Sequence, residues 1–214
     1  YTMEDIDGDT LQMYRNAFEV HNPNHVWNSL DNKNFLRSLG GYAVNRGTKE
    51  EGLTLAGLLM FGKGLSIRER LVNFRFDFLD MTNLFGDRRW SDRLTYDGTW
   101  ENNIYNFIKI VLPKLVSDLK RPFVLEGFQR KDDTVVHASI REAMMNSIIH
   151  CDYHQAGILK IIKKNNEFIF SNPGRLKISI EEIYEGGNSV ARNPKIQTML
   201  RMIGYGENIG SGFP

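Results

Sequence analysis

Three polar side chains repeat at intervals of four residues along one segment of the chain. They are Glu142, Asn146 and His150. Residues four apart lie on the same face of an α-helix, so a carboxylate, a carboxamide and an imidazole would point the same way. Carboxylate and amide oxygens suit Mg²⁺, which binds through few protein ligands together with phosphates. The Glu142 carboxylate in such a row could also orient or deprotonate an attacking water.

Two other interpretations of this helix remain open. The polar row can be the solvated face of an amphipathic helix, since Ile140, Met144 and Ile148 share another face. A metal site is the second alternative, because two histidines four residues apart can bind zinc. Its ligands would be His150, Cys151, Asp152 and His154.

Two glycine-containing loops and a cation follow this helix. Asn172-Pro173-Gly174 comes directly after a predicted strand, where Pro and Gly make a fixed turn that leaves the backbone open to a ligand. Residues 204–212 hold four glycines, which can bring N–H groups close to phosphates or simply form a flexible linker. Arg192-Asn193-Pro194 places a cation beside a predicted helix N-terminus, a position that favours anions.

The order of these motifs resembles the ATP-binding region of a family of bacterial and archaeal transcriptional regulators, some of them described as related to ATP-dependent helicases. The resemblance spans about residues 30–214 and includes the apolar segment 53–63. The motifs that carry it are Arg141-Glu142-Ala143, Asn146, His150-Cys151-Asp152-Tyr153, Asn172-Pro173-Gly174, Arg192-Asn193-Pro194 and Gly210-Ser211-Gly212.

The resemblance implies a fold of the GHKL (Bergerat) type, shared with histidine kinases, type II topoisomerases and mismatch-repair ATPases. It implies that Glu142 is the general base for water, that Asn146 holds Mg²⁺ and that residues 186–193 form a lid. The residues that it places against ATP are Asn146, His150, Asn172, Gly174, Arg192, Asn193, Gly210 and Gly212. Family members usually carry an AlbA-like domain of the Schlafen type before this region and a winged helix after it. DNA is therefore expected to be bound by domains outside this chain.

The chain departs from the usual GHKL pattern in the loop expected to face adenine. Asn172 stands where typical members carry Asp, and Arg175 replaces the second glycine of the Asp-x-Gly-x-Gly pattern. An Asn carbonyl can still accept a hydrogen bond from the adenine amino group, but the charge is lost. Three functions therefore compete: an ATP-binding regulatory module, a weak Mg-dependent ATP hydrolase, and a degenerate nucleotide fold that serves as a dimerisation scaffold.

The pattern of elements predicts an α+β fold, with a GHKL-like sandwich in residues 121–214 after a smaller α+β region in residues 1–120. Gly57 and Gly62-Lys63 fit part of a P-loop, but Gly64 follows instead of Ser or Thr and the middle is apolar, which predicts a buried core segment. Residues 10–22 are expected to be irregular or weakly helical, and a helix over 100–120, capped by Thr99, is expected to bend or break at Pro113. The other expected elements are a helix over 32–39 ended by Gly40, a strand over 73–79 with Phe74, Phe76 and Phe78 on one face, a helix over 137–151, a hairpin of 157–164 and 167–171, and a helix over 194–203 capped by Asn193.

Bulk composition is that of an ordinary soluble globular protein, and the single cysteine together with the lack of a signal peptide favours the cytoplasm. The net charge is +1, from 27 basic and 26 acidic residues, so direct DNA contact by this segment is not expected. The small basic clusters, such as Arg88-Arg89 and residues 160–164, are expected to be solvated surface. Cys151 is the single cysteine, no apolar run is long enough to cross a membrane, and the chain looks like part of a longer polypeptide. Trp90 and Trp100 are candidates for the surface of a homodimer.

Overall fold

A computed structural model describes residues 1–120, 124–126, 129–131, 134–179, 181–182 and 190–205. The helices are α1 (Gly8–His21), α2 (Asn32–Leu39), α3 (Leu55–Phe61), α4 (Gly64–Arg70), α5 (Ile104–Val116), α6 (Val135–Ile149) and α7 (Pro194–Arg201), with short 3-10 helices at Met3–Asp5 and Val26–Ser29. The strands are β1 (Tyr42–Val44), β2 (Glu51–Leu53), β3 (Phe74–Asp80), β4 (Asp92–Leu94), β5 (Val124–Glu126), β6 (Gln129–Lys131), β7 (Gly157–Lys164) and β8 (Glu167–Ser171). The expected α+β class is confirmed.

One four-stranded sheet, in the order β4-β3-β7-β8, organises the molecule. β3 and β7 run parallel from the pair Phe74 and Gly157 to the pair Asp80 and Lys163. β4 and β8 are antiparallel to their neighbours at the two edges. β1 pairs with β2 and β5 with β6 in two separate hairpins. No helix in the described ranges has both the length and the apolarity needed to span a bilayer.

The sheet and the core both cross the boundary expected near residue 121. β3 precedes that boundary and β7 follows it, yet the two strands pair along seven residues. A single cluster of buried side chains includes Phe35 and Phe61 from the first part and Met144 and Met199 from the second. The described parts of residues 1–120 and 121–214 therefore share one core, because β3 obtains its parallel partner from beyond the boundary.

The helix α5 differs from its expected form at both its start and its proline. It begins at Ile104, where the side chain of Asn103 accepts a hydrogen bond from Asn106 N at 2.9 Å. Thr99, the expected cap, does not cap this helix. Its hydroxyl instead donates a hydrogen bond to the carboxylate of Asp97 at 2.6 Å. Pro113 does not interrupt the helix, because buried side chains on either side of it hold the last turn against the core.

The helix α6 starts slightly before its expected position and buries the predicted apolar face. Its cap is Thr134, whose hydroxyl oxygen accepts from the backbone N of His137 at 3.4 Å. Ile140, Met144 and Ile148 are buried on one side. Their burial fixes the rotation of the helix, and it therefore determines where the polar row Glu142, Asn146 and His150 lies.

Candidate functional site

The polar row of α6 contains two side chains that have no partner in the described part of the chain. Glu142 and Asn146 lie one helical turn apart and are both half-buried. Among the described residues, neither the Glu142 carboxylate nor the Asn146 carboxamide forms a hydrogen bond or an ion pair. Half-buried polar groups usually find partners within the protein. These two groups are therefore free to bind a ligand.

The loop after β8 is held against the end of α6. Asp152 N donates to Pro173 O at 2.8 Å. Gly174 has φ 125°, and a Cβ there would lie 3.2 Å from Asp152 Cβ, so this position requires glycine. Asn172 is half-buried, and its Nδ2 donates to Pro173 O at 3.2 Å. The Asn172 Oδ1 has no partner in the described part of the chain and remains an available acceptor.

Arg192 fastens the segment before α7 to the same place. Its Nε donates to His150 O at 3.2 Å, and a terminal nitrogen donates to Arg175 O. The other terminal nitrogen lies 3.6 Å from the Asp152 carboxylate. Arg192 therefore joins the end of α6 to the loop after β8, and its hydrogen-bonding groups are largely used within the protein.

Asn193 occupies the expected N-cap position of α7, but its side chain has a role similar to that of Arg192. Its Nδ2 donates to Ile149 O at 3.0 Å and to Cys151 O at 2.7 Å, and its backbone N donates to Ile149 O. It forms no side-chain hydrogen bond to α7. The expected cap position is confirmed, and Gln197 N donates to Asn193 O at 3.0 Å. The side-chain donors of Asn193 serve the unpaired carbonyls at the end of α6 instead.

His150 ends α6 and lies in a cationic environment. Burial lowers its pKa first, and the positive charges of Arg192 and Lys177 lower it further. The imidazole is therefore neutral at pH 7. Lys177, whose Nζ donates to Ala191 O at 3.3 Å, was not predicted to lie near this site, because no local pattern connects it to a histidine so distant in sequence.

The alternative zinc site is not formed by the described residues. No group of three or more His, Cys, Asp and Glu side chains converges there. Cys151 is buried, and burial together with the nearby Asp152 carboxylate raises the pKa of its thiol to about 12.

The structure thus brings five of the expected ligand-binding residues to one place. His150, Asn172, Gly174, Arg192 and Asn193 surround the end of α6, and Glu142 and Asn146 lie along the same helix. Gly210, Gly212 and residues 186–189 of the expected lid lie outside the described residues. The expected dimer candidate Trp100 is half-buried against Phe107, with ring centroids 6.4 Å apart.

The pH dependence of stability should report on His150. Because its pKa is lowered in the folded protein, the unfolded chain binds the proton more tightly. Stability is complete above the ordinary value of 6.5 and declines as the pH falls below it. Urea unfolding between pH 7.5 and 5.5 should therefore show a smaller decline in His150→Gln than in the parent. His154→Gln, a change at an exposed histidine, should keep the parent profile; equal profiles in all three proteins would contradict the assignment.

Comparisons with known proteins identify a similar fold and a family model that matches part of the chain. Residues 1–77 match the model of a domain of unknown function, DUF8451. No curated protein matches the sequence. The crystal structure of the DIP2311 protein from Corynebacterium diphtheriae is similar, with a TM-score of 0.65 and 20% identity over 96% of this chain. The chain covers 38% of that protein, and a likeness at this identity shows the fold alone.

Proposed function

We propose that residues 134–205 contain a binding site for ATP or a related nucleotide with Mg²⁺. The observation that carries the proposal is the free pair Glu142 and Asn146, half-buried on the helix whose end is joined to the Asn172–Gly174 loop. In a GHKL fold, a helix with this pair and a loop at this position face the nucleotide. The order of α6, the β7–β8 hairpin, the loop and α7 supports a fold of that type.

The residues fit a magnesium ion that arrives with phosphates. Asn146 offers one free carboxamide oxygen, and the described residues supply no dense cluster of acidic ligands. Mg²⁺ commonly binds through one or two protein oxygens, with phosphates and waters completing its shell. When bound, the ion would neutralise phosphate charge. Asn146 would hold it, and Glu142 would orient a water one helical turn away.

The loop can recognise adenine through an uncharged hydrogen-bond acceptor. The free Asn172 Oδ1 can accept a hydrogen bond from an exocyclic amino group, as the carboxylate of typical family members does. Because this acceptor is uncharged, we expect weaker binding than in a protein with Asp here. Arg192 and Asn193 act in this proposal as positioning residues, since the carbonyls at the end of α6 already use their donors.

In the whole protein, nucleotide binding would regulate a DNA-binding domain outside this chain. Ligand binding can shift an equilibrium between two conformations only if the two differ in affinity for that ligand. The described contacts suggest how a difference would arise, because Arg192 links the loop to α6 and to the segment leading into α7. A homodimer is a further candidate for the regulated state.

Calorimetric titration with a non-hydrolysable ATP analogue and Mg²⁺ tests the site. We expect saturable binding by the parent and a loss of at least about tenfold in Asn146→Ala, which removes a charged-ligand contact. Asn16→Ala, which removes an exposed asparagine from α1, is the matched control and should bind as the parent does. Absence of binding by the parent at millimolar nucleotide would refute the proposal and favour the scaffold function.

Slow ATP hydrolysis is the second candidate, favoured by the free Glu142 carboxylate beside Asn146. Phosphate release should then require Mg²⁺ and should fall by about 100-fold or more in Glu142→Gln, which keeps the size of the side chain but removes the base. Binding of the analogue should persist in this variant. Phosphate release that survives the substitution would remove Glu142 from the mechanism.

A further inference from the structure

The loop between β3 and β4 is firmly anchored at its base. Met81 N donates to Lys163 O at 2.7 Å, and Asn83 N donates to Asn165 Oδ1 at 3.1 Å. On the returning side, Ser91 N donates to Asp80 O at 2.8 Å. These bonds connect both ends of the loop to the sheet. The residues at its tip are therefore presented from a fixed support.

The tip combines exposed rings with cations that have no ion-pair partner among the described residues. Phe85 is 77% exposed and Trp90 is 39% exposed. Arg88 and Arg89 are exposed and form no ion pair within the described residues. Asp87 is the single acidic side chain between Phe85 and Trp90, so the tip has an excess of positive charge. An exposed phenylalanine on an anchored loop has no role in the core of this fold.

We propose that this tip binds single-stranded nucleic acid. Arginine forms paired hydrogen bonds with phosphate oxygens, and aromatic rings stack on unpaired bases of any sequence. Single-stranded nucleic acid uses both kinds of side chain, because its bases stack on the rings and its phosphates bind the cations. An anionic membrane would contact the same cations, but it would require Asp87 to approach the lipid headgroups together with a very small apolar area.

This surface is separate from the proposed nucleotide site. The Asn172–Gly174 loop lies at the Gly157 end of β7, where Pro173 packs against Gly157. The β3–β4 loop lies at the Lys163 end of the same strand. Six steps along a strand separate these ends by about 20 Å. The proposal can therefore succeed or fail independently of ATP binding.

Fluorescence anisotropy with a labelled single-stranded oligonucleotide of mixed sequence tests the proposal. The variants are Arg88→Ala/Arg89→Ala and Phe85→Ala/Trp90→Ala, with Arg46→Ala/Arg70→Ala as a charge control from exposed positions elsewhere. Five of these side chains are well exposed, whereas the Arg93 guanidinium lies 5.2 Å from the ring centroid of Trp90, so Phe85→Ala is also measured alone. The arginine variant, Phe85→Ala and the charge control should unfold at the temperature of the parent. Affinity should be measured at several salt concentrations.

The two loop variants should lose affinity for the oligonucleotide in different ways. Loss of two phosphate contacts should reduce the slope of log K against log salt by about 1.4 in the arginine variant. The ring variant should keep the slope and lose roughly tenfold or more in affinity. The charge control should retain parent affinity, and a duplex of the same sequence should bind more weakly than the single strand, because its bases are already stacked.

Four results would overturn the proposal. The first is no oligonucleotide binding by the parent at low salt, and the second is equal binding by the parent and both loop variants. The third is loop-dependent binding to phosphatidylserine vesicles in preference to the oligonucleotide. The fourth is loop-dependent self-association in sedimentation, which would assign the tip to a second copy of this chain.

Discussion

Gly57→Ala is expected to lower the free energy of unfolding by at least about 3 kcal/mol, or to prevent folding altogether. Gly57 lies in α3, where the backbone passes directly over the turn that ends α2. A Cβ at this position would lie 2.0 Å from Gly41 O and 2.9 Å from Gly41 Cα. Gly41 O cannot retreat easily, because it also accepts a hydrogen bond from Thr54 N at 2.9 Å.

Gly8→Ala is the matched control for this substitution. Gly8 is the first residue of α1, and a Cβ there would have no neighbour within 4 Å. Alanine reduces the conformational freedom of the unfolded chain, so this variant should gain about 0.4–1 kcal/mol. Urea unfolding of the three proteins measures both effects. Equal stability of the parent and Gly57→Ala would contradict the close approach of α3 to Gly41.

Local patterns predicted several elements because each pattern contains its own physical cause. The helix α2 ends at Gly40, whose φ of 81° is favourable only for glycine. Alternation in β3 places Phe74, Phe76 and Phe78 in the core. The β7–β8 hairpin turns at residues 165–166, as its two strand patterns indicate. In each case, neighbours in sequence decide the structure.

Long-range pairing could not be predicted from such patterns. The parallel pairing of β3 with β7 joins segments about 80 residues apart, and the sequence of neither strand indicates which strand it pairs with. The helix α1 was expected to be weak, yet it is fully formed because Leu11, Tyr14 and Phe18 pack into the core. Tertiary packing there outweighs modest intrinsic propensity.

The candidate site shows the same division. Spacing by four residues was sufficient to place Glu142 and Asn146 on one helical face, and neither has a partner among the residues that the structure describes. The functions of Arg192 and Asn193 could not be predicted, because their partners are backbone carbonyls at the end of α6, which have no signature in the sequence. A polar residue next to a motif can serve a ligand or the fold, and only its neighbours distinguish the two.

Lys163 shows how a composition-based expectation can mislead. It belongs to the basic run 160–164, which was expected to be solvated, yet its side chain is only 4% exposed. Leu159 and Ile161 are buried on β7, and two-residue alternation puts Lys163 on the same face. The strand period therefore predicts its burial better than the local charge does.

The ammonium group of Lys163 is held by several oxygens. Its Nζ donates to Lys114 O at 2.7 Å and to Ser117 Oγ at 3.1 Å, both at the end of α5. It also lies 2.7 Å from the Asp118 carboxylate and 3.7 Å from that of Asp80. The cation therefore joins the end of α5 to the sheet. Its position at a helix C-terminus is electrostatically favourable.

Lys163→Ala is expected to lower the free energy of unfolding by about 3–5 kcal/mol. The substitution removes the cation and one of the two donors to Lys114 O, and it keeps the nearly buried Asp80 carboxylate. Lys163→Met keeps most of the apolar stem and should therefore lose less. Urea unfolding of both variants separates the contribution of the charge from that of the packing.

Lys164→Ala is the control for the Lys163 variants, because Lys164 forms an exposed ion pair with Glu167 and should change stability by less than about 1 kcal/mol. If Lys163→Met were as stable as the parent, the free-energy cost of desolvating the ammonium group would equal the stabilisation from its contacts with oxygen atoms. Such a balance occurs at some buried ion pairs. Lys163→Ala would still lose stability through the cavity. A neutral effect of both substitutions would show that Lys163 does not hold α5 to the sheet in solution.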